Sequence, residues 1–168
     1  MTFQGEVRKF EQGLWSYHIL VPDEIYQALS ADGKKRVLCT IGNNETFHAG
    51  FMPDGNGNYF IKLNKERMIG YKLTLGEMVD VHLEKDNSKY GMAMPEEFKA
   101  VLESDFDGAT YFEALTDGKK RSLIYSVSTV KNTDKRITKA LTILDHLKAN
   151  RGKLDFRELN QAFKERKY

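Results

Sequence analysis

The chain has 168 residues, of which 40% are hydrophobic and 11% aromatic. That is enough to bury one sizeable core or two small ones, and too apolar for a disordered segment. One cysteine, Cys39, excludes an internal disulfide framework and a cysteine-built zinc site, and no run approaches the ~20 apolar residues of a membrane span. The first residues carry glycines and charges where a secretory leader needs an apolar stretch, so a cytoplasmic location is expected. The net charge of +2 hides an asymmetry: residues 119–168 hold 14 Lys and Arg against 5 Asp and Glu, while residues 1–118 hold 12 against 19.

From Thr2 to Leu83 the apolar residues mostly alternate, the period of strands with one buried face. The clearest predicted strands are Leu14–Val21, Arg36–Gly42, Glu45–Met52, Tyr59–Asn64 and Met78–Leu83. Pro22 ends the first of these, and Asp23 is placed to cap a short helix over Asp23–Leu29. The run Pro53, Asp54, Gly55, Asn56, Gly57, Asn58 supplies the positive φ values of a hairpin and is followed by a strand, which argues against a phosphate-cradling loop. Shifting the sequence by 42 residues lines Tyr17–Gly42 up with Tyr59–Glu84, each reading strand, short helix, strand. If the repeat is real, each half-barrel closes on the other within one chain, leaving no exposed sheet edge. Lys62, Lys65 and Arg67 read as a solvated edge.

The period changes from two to 3.6 near Asp86–Pro95, which divides the chain into a barrel domain (1–86), a linker (87–94) and a helical domain (95–168). Pro95, Glu96 and Glu97 open a helix with Phe98, Val101 and Leu102 inward. Asp105 caps a second, burying Ala109, Phe112 and Leu115 before Gly118. A third spans Lys119–Val130 with Leu123, Ile124 and Val127 inward. The fourth buries Ile137, Ala140, Leu141, Leu144 and Leu147 and ends by Gly152; a last one, from Asp155, buries Leu159, Ala162 and Phe163. Tyr111, Phe112 and Tyr125 are expected in the core. The fold class is thus α+β, a small β-barrel followed by a helical bundle.

On the fourth helix Lys131, Lys135 and Lys139 recur every four residues away from the apolar stripe, with Arg136 at its border. With Arg121 they form a candidate contact set for an anionic partner, nucleic acid or an acidic protein surface; the plainer reading is a solvated, lysine-rich face. The histidines, His18, His48, His82 and His146, form no HxH or HxxxH pair, and no GxSxG or Rossmann fingerprint appears. Cys39 lies in the apolar run Val37–Ile41 and reads as a buried structural thiol. No enzymatic activity, cofactor or metal is expected; the alternative is a small-ligand pocket between barrel and helices, near His48, Phe51 and Tyr125. A structural or protein-interaction role is the third reading.

Several pieces of sequence occur in a recognisable order: Val21-Pro22 after a strand, RVLCTIGNNETFHAGFMPDGNGNYFIKLNK from Arg36 to Lys65, Gly76 and Asp86 around the last strand, and MPEEF from Met94 to Phe98. Phe112, Leu115, Gly118, Arg121, Ser122, Lys131, Arg136 and Lys139 follow. In this order the chain resembles the YdeI/OmpD-associated group, also called bacteriocin-protection or OmdA-like proteins, preceded by the small barrel domain of unknown function that often accompanies it. The resemblance implies a barrel of the double-split, swapped-hairpin type seen in AbrB-like regulators, whose members often bind DNA as dimers. It also implies a link to bacteriocin and envelope stress, without a defined activity. Arg136 matches an arginine that recurs in the family; Lys139 stands where arginine is more usual, which keeps the charge but loses the planar fork.

Overall fold

The computed structural model describes residues 1–11 and 17–166 and divides into two compact units, Met1–Gly91 and Met92–Tyr168. In the first, β1 (Thr2–Lys9), β2 (Tyr17–Val21), β3 (Arg36–Ile41), β4 (Phe47–Pro53), β5 (Tyr59–Leu63) and β6 (Met78–Lys85) form a closed barrel in the order β1-β2-β5-β4-β3-β6. All its ladders are antiparallel. Two short helices, α1 (Asp23–Ser30) and α2 (Lys65–Gly70), follow β2 and β5. Alternation places Val37, Cys39 and Ile41 of β3, and Val79, Val81 and Leu83 of β6, inside the barrel. Burial there pushes the Cys39 thiol up to about 12, the protonation state of a structural residue. Residues 14–16 of the first predicted strand lie outside the described residues.

The 42-residue repeat is geometric. Tyr17–Val21 and Tyr59–Leu63 are both strands, Arg36–Ile41 matches the first part of β6, and α1 matches α2. The β2–β5 ladder is centred on Ile19 opposite Ile61, and the β3–β6 ladder pairs Thr40 with His82; both pairs are residues related by the repeat. A pseudo-two-fold therefore relates the halves. It also relates β1 to β4 at a spacing of 44: Val7 faces Ile19 as Phe51 faces Ile61, and Gly5 faces Val79 as Ala49 faces Val37. Each of these strands leaves its hairpin partner early. The β1–β2 register covers Val7–Lys9 and the β4–β5 register Phe51–Pro53, so the barrel is split at two equivalent places.

The hairpin between β4 and β5 forms as its residues require. Gly55 and Gly57 take positive φ, and the Asp54 carboxylate accepts the Asn56 and Asn58 N–H groups and the Asn58 amide. Two expectations change. Asp23 is the first residue of α1 and has no capping bond there; Pro22 occupies the cap position. Lys62 and Lys65 are exposed, but not on a sheet edge: Lys62 is on β5, which is paired on both sides, and Lys65 is on α2 with Arg67, whose guanidinium lies 3.9 Å from the centroid of the Phe47 ring.

The second unit contains α3 (Glu96–Ser104), α4 (Phe106–Glu113), α5 (Asp117–Ser128), α6 (Thr133–Ala149) and α7 (Phe156–Glu165). The long α6 touches all four others. Asp105 caps α4 as its sequence predicts, accepting from Gly108 N–H; Asn132 accepts from Lys135 N–H at the start of α6, and Asp155 from Arg157 and Glu158 N–H at the start of α7. Gly118 does not stop a helix; Thr116 caps α5 and Gly118 is its second residue. Phe98, Phe112, Leu123, Ile124, Ile143, Leu144 and Leu147 make the core, whereas Ile137 and Leu141 are 37% and 39% exposed. The buried side of α6 is instead completed by Thr142, Ile143 and His146. The apolar face is rotated relative to the sequence reading because α6 is contacted by four helices rather than along one stripe.

Gly108 is where α4 crosses α6: a Cβ there would meet Leu144 Cβ at 2.8 Å and Asp105 Oδ2 at 2.9 Å. Gly108→Ala is expected to destabilise by ~1–3 kcal/mol through overpacking. Urea unfolding checks it, and a midpoint equal to wild type would contradict this close approach.

Candidate functional site

The cationic residues singled out in the sequence do not form one stripe. Lys131 precedes the Asn132 cap, so it lies before α6 rather than on it, and it is exposed. Lys135, in the first turn of α6, is exposed as well. Arg136 faces inward: its Nε donates to Val130 O at 2.5 Å and its Nη1 to Glu97 Oε1 at 3.3 Å, tying α6 to the start of α3. The Arg136 charge holds the Glu97 carboxyl below its ordinary range, after the larger effect of the helix-start backbone N–H. Lys139 lies 4.8 Å from the centroid of the Phe163 ring, and burial lowers its pKa. Arg121 is half-buried in the first turn and a half of α5. Seven residues of helix, ~10 Å at 1.5 Å per residue, separate it from the α5 end that leads to Lys131.

Two of the predicted pocket residues, His48 and Phe51, are parted. His48 and Phe51 lie on β4 three positions apart, so alternation sends them to opposite faces. Phe51 is 4% exposed and edge-on to Tyr26 in the barrel core, while the His48 side chain is partly exposed outside. Tyr125 belongs to the other unit and is 63% exposed, not core as expected; Phe112 is fully buried and Tyr111 half-buried.

What sequence reasoning missed is the environment of His48. Its Nδ1 lies 2.7 Å from Asp86 Oδ2, and the Asp86 side chain is fully buried. Asp86 Oδ1 accepts from Ser88 N–H at 2.9 Å and from Ser88 Oγ at 2.5 Å. Burial alone would raise the Asp86 pKa, but the His48 and Ser88 bonds outweigh it and hold the carboxyl below its ordinary value. An ionised Asp86 can only accept, so His48 Nδ1 donates to it. Beside it, Arg36 Nη2 donates to Gly91 O at 2.6 Å, and Asp86 N–H donates to Arg36 O at 3.2 Å. Together these bonds fasten residues 86–91 to β3 and β4. The only sequence signal was Asp86 after the last strand, 38 residues from its partner.

The other histidines have structural partners. His18 is buried and stacked on Phe10 at 3.7 Å, His82 pairs with Thr2 Oγ1 at 3.0 Å, and His146 Nε2 accepts Asp155 N–H at the start of α7. Among the described residues, no three His, Cys, Asp or Glu side chains are placed to hold a metal ion, and no helix is long and apolar enough to cross a membrane.

Comparison with protein families assigns both parts. Residues 3–83 match a domain of unknown function (DUF1905), and residues 92–150 match the family described as bacteriocin-protection, YdeI or OmpD-associated. No curated protein and no solved structure matches the chain.

Proposed function

Because the chain belongs to the bacteriocin-protection, YdeI or OmpD-associated family over residues 92–150, behind a DUF1905 barrel over residues 3–83, we propose that it is a non-catalytic binding protein associated with bacteriocin protection. Its helical unit offers cations to an anionic partner, with nucleic acid the first to test. The observation that carries this reading is the exposure of Lys131 and Lys135 at the start of α6, in a stretch with 14 cations against 5 carboxylates. Arg136 and Lys139, engaged by Glu97 and Phe163, contribute to the fold of that surface rather than to the contact.

Two phosphate contacts give a slope of about −2 in log affinity against log salt, so binding to generic duplex DNA is expected to weaken about tenfold between ~50 and ~200 mM salt. Fluorescence anisotropy measures it. Absent binding at low salt, or affinity independent of salt, removes the proposal.

A further inference from the structure

The first barrel split opens into a groove of about 370 Å³, lined among others by Phe3, Gln4, Glu6, Leu20, Pro22 and Asn58. We propose that this groove receives an extended, lysine- or arginine-bearing segment of a partner protein, which adds its main chain to that of Gln4 and to the Glu6 N–H in β1. Three observations carry it.

The first is the direction of the β1 backbone. Val7 N–H donates to Glu77 O, Val7 O accepts from Gly76 N–H, and Met1 O accepts from Leu83 N–H. Met1 and Val7 therefore turn their main-chain groups to the β6 side. Direction alternates along a strand, so Phe3 and Gly5 do the same, while Gln4 and Glu6 turn theirs toward β2. The β1–β2 register stops at Val7 opposite Ile19, so Gln4 faces the groove with donor and acceptor beyond the end of that ladder. Strand addition uses such an edge.

The second is the other half of the barrel. Through the spacings of 44 and 42, Gln4, Glu6 and Met78 correspond to His48, Gly50 and Arg36. At that equivalent place polypeptide is present: residues 86–91 are held by His48 through Asp86 and by Arg36 through Gly91 O. A Cβ on Gly50 would come within 2.9 Å of Arg36 Nη1, so this half is closely filled. The barrel thus carries two related positions, one covered by its own chain and one open.

The third is charge. The groove's lining carries Glu6 and Asp23 against Arg8, which is itself paired with Glu6 at 2.9 Å; Asp80, outside the lining, accepts from Gln4 Nε2 at 3.3 Å. The excess of carboxylates selects a cationic segment.

The test is an amide-resolved NMR titration of the full chain with acetyl-Lys-Val-Lys-Val-Lys-amide, and with the Glu-Val-Glu-Val-Glu peptide as control. The basic peptide is expected to shift the Gln4, Glu6 and Leu20 amides saturably, and the acidic one to leave them unmoved. Gln4→Pro removes an N–H that the β6 ladder does not use, so the barrel should tolerate it and lose the response. Glu6→Lys, which leaves the backbone intact, should weaken binding at least about tenfold and decides the matter if the proline variant does not fold. No saturable shift up to ~1 mM peptide, the weak end of specific recognition, overturns the proposal. So do equal shifts with the acidic peptide, shifts confined to other elements, or shifts at these amides produced by raising the protein concentration alone, which would make a second copy the occupant.

Discussion

Phe112→Ala is expected to cost ~3–5 kcal/mol in urea unfolding, the range for truncating a buried aromatic ring. Phe112 is fully buried, and its ring meets Phe98 edge-on with centroids 5.2 Å apart. Phe98 and Phe112 come from α3 and α4, and both helices rest on α6. Truncation therefore leaves a cavity among three helices, which the short α4 cannot close by itself. Phe112→Leu, which keeps most of the volume, should cost less than half as much. A loss below ~1 kcal/mol for the alanine variant would mean that this ring does not hold the three helices together.

The second large effect concerns Asp86. Asp86→Ala leaves the His48 Nδ1–H and two Ser88 donors without their acceptor and is expected to cost ~2–4 kcal/mol at neutral pH. The pH dependence follows from the lowered folded-state pKa. A depressed carboxyl stabilises the fold above its unfolded value, near 3.9, and the contribution is lost as pH falls through the folded value. Asp86→Asn, similar in shape but uncharged, should therefore flatten the acid limb of the stability profile below about pH 4. Denaturant unfolding across pH 2–7, a range set by these values, checks it; an acid limb as steep as that of wild type would show that Asp86 does not carry the linkage.

Most of the fold was legible because its signals are local. The alternation of Val37, Cys39 and Ile41, the Asp54–Asn58 turn and the caps Asp105 and Asp155 each depend on neighbours within a few residues. The 42-residue repeat was visible in the same way, since a period survives in sequence even when few identities do. The departures are tertiary. Ile137 and Leu141 satisfy helical spacing, but which side of α6 is buried depends on the helices around it. Arg136 and Lys139 look like parts of a solvated stripe until Glu97 and Phe163 are brought to them from 39 and 24 residues away. The His48–Asp86 bond spans 38 residues and involves neither a motif nor a fixed spacing, so only the barrel's closure reveals it. Of the candidate cations, Lys131 and Lys135 are exposed, while Arg136 and Lys139 are engaged by Glu97 and Phe163.

The central functional claim is that exposed cations at the start of α6, rather than the charge of the chain in general, meet the anionic partner. The direct measurement compares DNA affinity at ~50 mM salt for wild type, Lys131→Glu/Lys135→Glu, and the barrel control Lys62→Glu/Lys65→Glu, whose lysines are also exposed. The account predicts a loss of at least about tenfold for the α6 pair and little change for the barrel pair. Equal losses in both, or none in the α6 pair, would contradict it.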